Sequence, residues 1–201
     1  MKKGLVIAIT IIILVLAISI SAVTWGIGAY NSLIALDEEV SQAWSQVQNQ
    51  YQRRLDLIPN LVETVKGYAK QEQEVFIKVA EARARVGQLS ITPQLLNDPE
   101  SFRKFEQVQG EVSSALSRLL AVAENYPNLK SSENFLTLQS QLEGTENRIA
   151  VERRRFNEVV QQYNMKVRRF PISIVASFGG FGTKVYFTAV PAAEEAPKVR
   201  F

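Results

Sequence analysis

The chain has 201 residues, 46% of them apolar, with 23 basic and 20 acidic side chains and a formal net charge of +3, room for one globular domain and an appendage. Lys2 and Lys3 supply two of those positive charges, so the rest of the chain is nearly neutral and gives no argument for nucleic acid. With no cysteine and no histidine, disulfides, thiolate nucleophiles, Cys/His zinc sites, a Ser-His-Asp triad and di-iron sites of the Glu-x-x-His type are excluded, which leaves carboxylate, Ser/Lys or tyrosine chemistry.

Residues 4–29 carry no charge. A bilayer core of roughly 30 Å needs about 20 apolar residues in a helix, and the run predicts a transmembrane helix over about Leu5–Trp25 within an uncharged segment 5–29. Trp25 and Tyr30 stand at its far end, where amphipathic rings favour the headgroup layer. The competing reading is a cleavable signal peptide, whose apolar core is shorter, about 7–15 residues. Ser19-x-Ser21 is a passable cleavage site, but the apolar run continues past it. Lys2 and Lys3 flank one end; Asp37, Glu38 and Glu39 flank the other, where the first basic residue is Arg53. The positive-inside rule puts residues 1–4 in the cytoplasm and the rest of the chain beyond the membrane.

From residue 31 to 87, apolar residues recur at steps of three and four, the helical period: Leu33, Leu36, Val40, Trp44, Val47, Tyr51, Leu55, Ile58, Val62, Val65, Ala69, Phe76 and Val79. Leu36, Val47, Ile58, Ala69 and Ala80 also repeat every eleven residues, which keeps a nearly straight helix in phase. That phase runs through Pro59 and predicts a kink there; the alternative is that Pro59 ends one helix and Asn60 starts another. Gly87 to Asp98 reads as a loop. Asp98 reads as an N-cap with Pro99 at the first helical position, opening a helix with Phe102, Phe105, Val108, Val112, Leu116, Leu119 and Val122 on one face. Asn125-Tyr126-Pro127-Asn128 stops it. A third helix starts near Ser131 or Ser132, carries Phe135, Leu138, Leu142, Ile149, Phe156, Val160, Tyr163 and Val167, and ends at Lys166, Arg168 and Arg169 before Pro171. The fold class is therefore all-α: a transmembrane helix followed by an antiparallel bundle of three to four long helices over 30–170. Residues 171–188 are apolar with Gly179, Gly180 and Gly182, suited to a short helix and turn across the bundle or to contact with a membrane or partner. Residues 189–201 read as a flexible tail.

Few residues suggest chemistry. Gly179-Gly180-Phe181-Gly182-Thr183-Lys184 lacks the spacing of a phosphate loop and reads as a glycine turn. The basic stretch Arg153-Arg154-Arg155 is interrupted by Glu152 and Glu158 and reads as a solvated face. Glu143, Glu146 and Arg148 carry more weight: Glu146 falls near the apolar face between Leu142 and Ile149, and a charge there needs a partner. A structural ion pair that fixes helix register is preferred over a catalytic carboxylate. No cofactor, metal or small-molecule substrate is expected.

Several long strings occur together: Tyr30-Asn31-x-Leu33, Ala43-Trp44-Ser45-Gln46-Val47, Gln50-Tyr51-Gln52-Arg53-Arg54-x-Asp56-Leu57-Ile58-Pro59-Asn60-Leu61-Val62, Glu124-Asn125-Tyr126-Pro127-Asn128-Leu129-Lys130, Leu142-Glu143-Gly144-Thr145-Glu146-Asn147-Arg148-Ile149-Ala150 and Tyr163-Asn164. The chain closely resembles the LemA family of bacterial membrane proteins, from Tyr30 to Phe201, with Ile172–Thr188 departing most. The resemblance implies an N-terminal anchor, a helical bundle and no established activity; members in magnetosome systems suggest membrane organisation. Arg54, Pro59, Asn60, Glu143, Glu146, Asn147 and Arg148, all within these strings, are expected to be structural residues.

The functional expectation is a noncatalytic, single-pass scaffold or adaptor of the bacterial envelope, with the bilayer, other copies of itself and envelope proteins as partners. The opposing expectation is a membrane-bound hydrolase with a carboxylate or Ser/Lys site. Helix arithmetic adds an interaction surface. At about 1.5 Å per residue, a helix over 99–125 spans only about 40 Å and returns to the level of residue 60. The stripe Leu33, Leu36, Val40, Trp44, Val47, Tyr51, Leu55 and Ile58 would then lack a partner within the chain; either Pro59 breaks the helix to give a compact monomeric bundle of four segments, or, as preferred here, the stripe packs against other copies.

Overall fold

The computed structural model describes residues 2–89 and 92–188; the tail at 189–201 lies outside the described residues. Helix α1 spans Lys2–Tyr68, α2 Gln73–Gly87, α3 Pro99–Glu124, α4 the single turn Pro127–Lys130, α5 Glu133–Arg168 and α6 Ile172–Gly179, with a 3-10 turn at Pro93–Asn97. The described residues contain no strand. The chain is all-α, as the periodicity predicts.

α1 is one helix of 67 residues, about 100 Å long. Its N-terminal part is fully exposed, and a stretch there is long and apolar enough to cross a membrane. Beyond residue 39, burial follows a heptad: Val40, Trp44, Val47, Tyr51, Arg54, Ile58, Leu61 and Val65 are all buried, in alternating steps of four and three. The eleven-residue phase describes this face less well, since its member Leu36 is only half-buried and Ala80 is exposed. α1 stays helical through Pro59. That proline lies on the exposed face, where water can take the hydrogen bond its missing N–H forfeits. The helix expected over 31–87 breaks instead at 69–72, after Lys66 and Gly67, residue types suited to a helix C-terminus. The break is driven by packing: Val79, Ala82 and Val86 of α2 are buried, and only folding back gives them a partner in α3.

The bundle runs up, down, up, down. Trp44 meets Phe156 and Arg54 meets Glu146, so α5 is antiparallel to α1 along most of its length. Trp44 meets Phe102, and Arg54 meets Ser113, so α3 runs parallel to α1. Arg85 pairs with Glu111, and the Tyr126 hydroxyl bonds to Glu72, which sets α2 antiparallel to α3. α3 begins as predicted, with the Asp98 carboxylate accepting from the backbone N–H groups of Glu100 and Ser101 and Pro99 in the first turn. α6 and the extended chain 181–188 then return across α1 and α5.

This return corrects the expectation of an unpartnered stripe on α1. Leu33, Val40, Trp44, Val47, Tyr51 and Ile58 are buried within the chain, and Leu36 and Leu55 are half-buried. Counting α3 alone underestimates the cover. α5 runs ten residues longer than α3, and Leu95, Leu96, Ala176 and Phe187 join the same membrane-proximal core.

Candidate functional site

The core is split in two. One cluster takes in Leu33 to Tyr51 of α1, Phe102 and Phe105 of α3, and Ile149 to Val167 of α5. The other takes in Ile58 to Ala69, Val108 to Ala123, Leu129, Phe135 and Leu142. Between them lies a polar layer, because α1, α3 and α5 each place a polar residue at the same height: Arg54, Gln109 and Glu146.

Arg54 is the centre of the layer, with 1% of its surface exposed. It fills a heptad position between Val47 and Leu61 that elsewhere on α1 is apolar. One guanidinium nitrogen donates to Ser113 Oγ at 2.8 Å and to Glu146 Oε1 at 3.1 Å; the other donates to the Gln109 carbonyl at 3.3 Å and to the Gln109 side-chain oxygen. The cation also lies 5.1 Å from the Tyr51 ring centroid. Nε of Arg54 and the Gln109 amide nitrogen are buried without a protein partner. The buried member of the ion pair is thus Arg54, while the Glu146 side chain is 39% exposed and opens into a cavity of about 590 Å³ between α3 and α5. A guanidinium buried alone would carry a large desolvation penalty; four acceptors, one of them a carboxylate, offset it. Burial pushes the Tyr51 phenol above its usual range, against the pull of Arg153 and Arg54.

At the mouth of the cavity Arg153 pairs with Glu106 at 3.0 Å and lies 4.4 Å over the Phe187 ring. Glu106 also accepts from the Thr188 backbone N–H and hydroxyl. Each carboxylate bordering the cavity is therefore held by an arginine. Among the described residues no group of three acidic side chains could hold a metal ion. A second and larger groove, about 930 Å³, runs between α1 and α2 past Leu55, Pro59, Val62, Phe76 and Ala80.

Other residues singled out in the sequence are dispersed. Glu143, Asn147 and Arg148 are exposed and outside the polar layer; Glu143 accepts from Gln139, one turn away. Asn60 is exposed, its carbonyl taken by Thr64. Arg154 and Arg155 are exposed. Gly180 closes α6 with φ of +74°, a conformation glycine adopts freely, and Lys184 beyond it pairs with Asp37.

Sequence reasoning missed Gln109, Ser113, Asn157 and Asn164. The two asparagines hold the returning chain: Asn164 exchanges two hydrogen bonds with the Lys184 backbone at 2.8 Å, and Asn157 two with the Phe187 backbone at 2.9 Å. A polar residue at a core position of an apolar repeat was the available signal for Arg54, Gln109 and Asn164.

The sequence pattern that defines the LemA family matches residues 43–201. The chain is similar to the magnetosome protein MamQ of Magnetospirillum gryphiswaldense, 27% identical across 90% of this chain and 74% of that protein. It is also similar to magnetosome protein MamQ 2 of Paramagnetospirillum magneticum, 26% identical across 82% of this chain, and to the protein LemA of Metamycoplasma hominis, 23% identical across 75% of it. The matches take in 66% and 64% of those two relatives' own lengths, just under two thirds. With a match that covers residues 43–201, more than half of its length, the chain belongs to the LemA family.

Proposed function

We propose that this chain is a noncatalytic, single-pass membrane protein that holds a rigid helical bundle at the bacterial envelope surface as a scaffold or adaptor. The observation that carries the reading is the continuity of α1, one helix from the apolar anchor into the bundle core as far as Tyr68. No joint separates the two, so the bundle stands at a set height and angle above the bilayer. Lys2 and Lys3 at one end and Asp37, Glu38 and Glu39 at the other support a cytoplasmic N-terminus and an extracytoplasmic bundle. Self-association or partner binding falls to exposed faces such as the α1–α2 groove, because the stripe once assigned to it is used inside the chain. Similarity to MamQ, whose name ties it to the magnetosome, supports a role in organising membrane structures.

A hydrolase remains the second reading, favoured by the convergence of Ser113, Glu146 and Glu106 on one cavity. It is the weaker one. Ser113 Oγ already accepts from Arg54, both carboxylates are committed to arginines, and no histidine exists to activate the hydroxyl. In-membrane crosslinking of the full chain with mass spectrometry tests the scaffold reading. Discrete homo-oligomers or recurrent envelope neighbours support it; a protein that crosslinks only to lipid and turns over an ester or peptide substrate, with loss on Ser113→Ala, replaces it with the second.

A further inference from the structure

Among the described residues, α6 and its flank bear the most exposed large apolar side chains. Phe178 is 91% exposed and Phe170 77%. Ile174 is also exposed and, four residues before Phe178, shares its face of the helix. Ala176 is buried on the opposite face against the bundle. No charge occurs from Phe170 to Thr183, and Arg168 and Arg169 stand exposed immediately before that run.

The anchor defines the height of this patch. Counting from Leu5, a hydrocarbon core of about 30 Å ends roughly 20 residues on, close to Trp25. α1 first loses exposure at Gly26, and Ala29 is buried. Gly179 lies against the Tyr30 ring, whose centroid is 5.5 Å from that of Phe181. α6 therefore sits one to two turns beyond the hydrocarbon, in the layer occupied by lipid headgroups. An apolar face with Phe side chains, flanked by arginines and held at that depth, has the makeup of an interfacial helix.

We propose that α6 lies on the bilayer in which α1 is anchored, with Ile174 and Phe178 dipping toward the acyl chains and Arg168 and Arg169 on anionic phospholipid headgroups. The inference rests on α1 spanning the membrane. It makes the bundle a two-point attachment, in which α6 limits tilt of the rod about the anchor.

The test uses the absence of native cysteine. The full chain carrying Phe178→Cys, Leu136→Cys or Ile13→Cys is labelled with a nitroxide and reconstituted into vesicles of phosphatidylcholine with or without phosphatidylglycerol. Collision rates with oxygen and with a water-soluble nickel chelate are then compared. Leu136 is an exposed site at the distal start of α5, and substitution of an exposed phenylalanine leaves the core intact. The expected result is an oxygen-to-chelate ratio several-fold higher at 178 than at 136, lower than at 13, rising with phosphatidylglycerol and falling back in an Arg168→Gln, Arg169→Gln background. Equal ratios at 178 and 136, with 13 in hydrocarbon, overturn the proposal alone. Shielding of 178 from both reagents with spin–spin broadening assigns the face to a second copy and also overturns it. A label at 13 that the chelate reaches freely overturns the anchor and this inference together.

Discussion

Asn157 and Asn164 stand seven residues apart on α5 and hold the backbone of Phe187 and Lys184, three residues apart on an extended segment. The spacings match: seven helical residues rise about 10.5 Å and three extended residues about 10 Å. An asparagine amide offers one acceptor and a donor, as a peptide does, so α5 presents the returning chain with two rungs of a ladder. The ladder lays Phe187 into a cluster where Trp44 lies 5.3–6.0 Å from Phe102, Phe105, Phe156 and Phe187.

Asn157→Ala combined with Asn164→Ala should release that segment. Each substitution leaves a backbone N–H and C=O unpaired, costing about 1–3 kcal/mol. The melting temperature should fall, and acrylamide should quench Trp44 more strongly than in the parent. Unchanged melting and quenching would show that Phe187 packing alone holds the segment.

Arg54→Ala should be among the most damaging single changes, at about 3–5 kcal/mol, because it leaves Gln109, Ser113 and Glu146 facing an empty space. Glu146→Ala should cost less, about 1–3 kcal/mol, since its side chain is partly in water and Ser113 and Gln109 still hold the guanidinium. Arg54→Met fills the space but still leaves Gln109 and Glu146 without their donor, so it should be destabilising, by less than Arg54→Ala. Chemical denaturation of the three variants checks the order. Equal loss in Arg54→Ala and Arg54→Met would mean that the layer matters through charge and hydrogen bonds and not through volume.

Trp44→Glu should unfold the membrane-proximal half of the bundle at every protein concentration. Trp44 is 4% exposed, and a carboxylate there has no partner among four phenylalanines. Circular dichroism across a hundredfold range of concentration separates this from loss of an oligomer, which would instead leave helicity intact and change only the sedimentation coefficient.

Alkaline pH should weaken the fold through Tyr163. Burial, with Asp37 adding to it, raises its phenol from 10.0 to about 12. The unfolded chain thus releases the proton first, and ionisation favours unfolding. The contribution of Tyr163 is full below about pH 10 and is lost as pH rises from 10 to 12. Tyr163→Phe should move the midpoint of alkaline unfolding upward; an unmoved midpoint would assign the transition to other groups, Tyr51 first among them.

Much of the fold was legible in the linear pattern. The uncharged run, the Asp98-Pro99 start and the apolar faces of α3 and α5 follow from period and capping chemistry, which act over a few residues. So does the helical path of α1 through Pro59, because a proline on an exposed face has water to satisfy the freed carbonyl. The cover over the α1 stripe was not legible. α5 supplies most of it, and Leu95, Leu96, α6 and residues 181–188 complete it; the short apolar run of the last had no period to place it. Glu146 could be singled out because it interrupts an apolar face on its own helix. That its partner is Arg54, and that Arg54 is the buried charge, depends on the registers of three helices at once. What the sequence by itself determined is where helices begin, which faces are apolar and where a membrane can be crossed, since those are local properties of period, cap and charge. Only the tertiary structure decided the break at 69–72, the polar layer and the height of α6, because each is set by which distant surface is available to bury a given face.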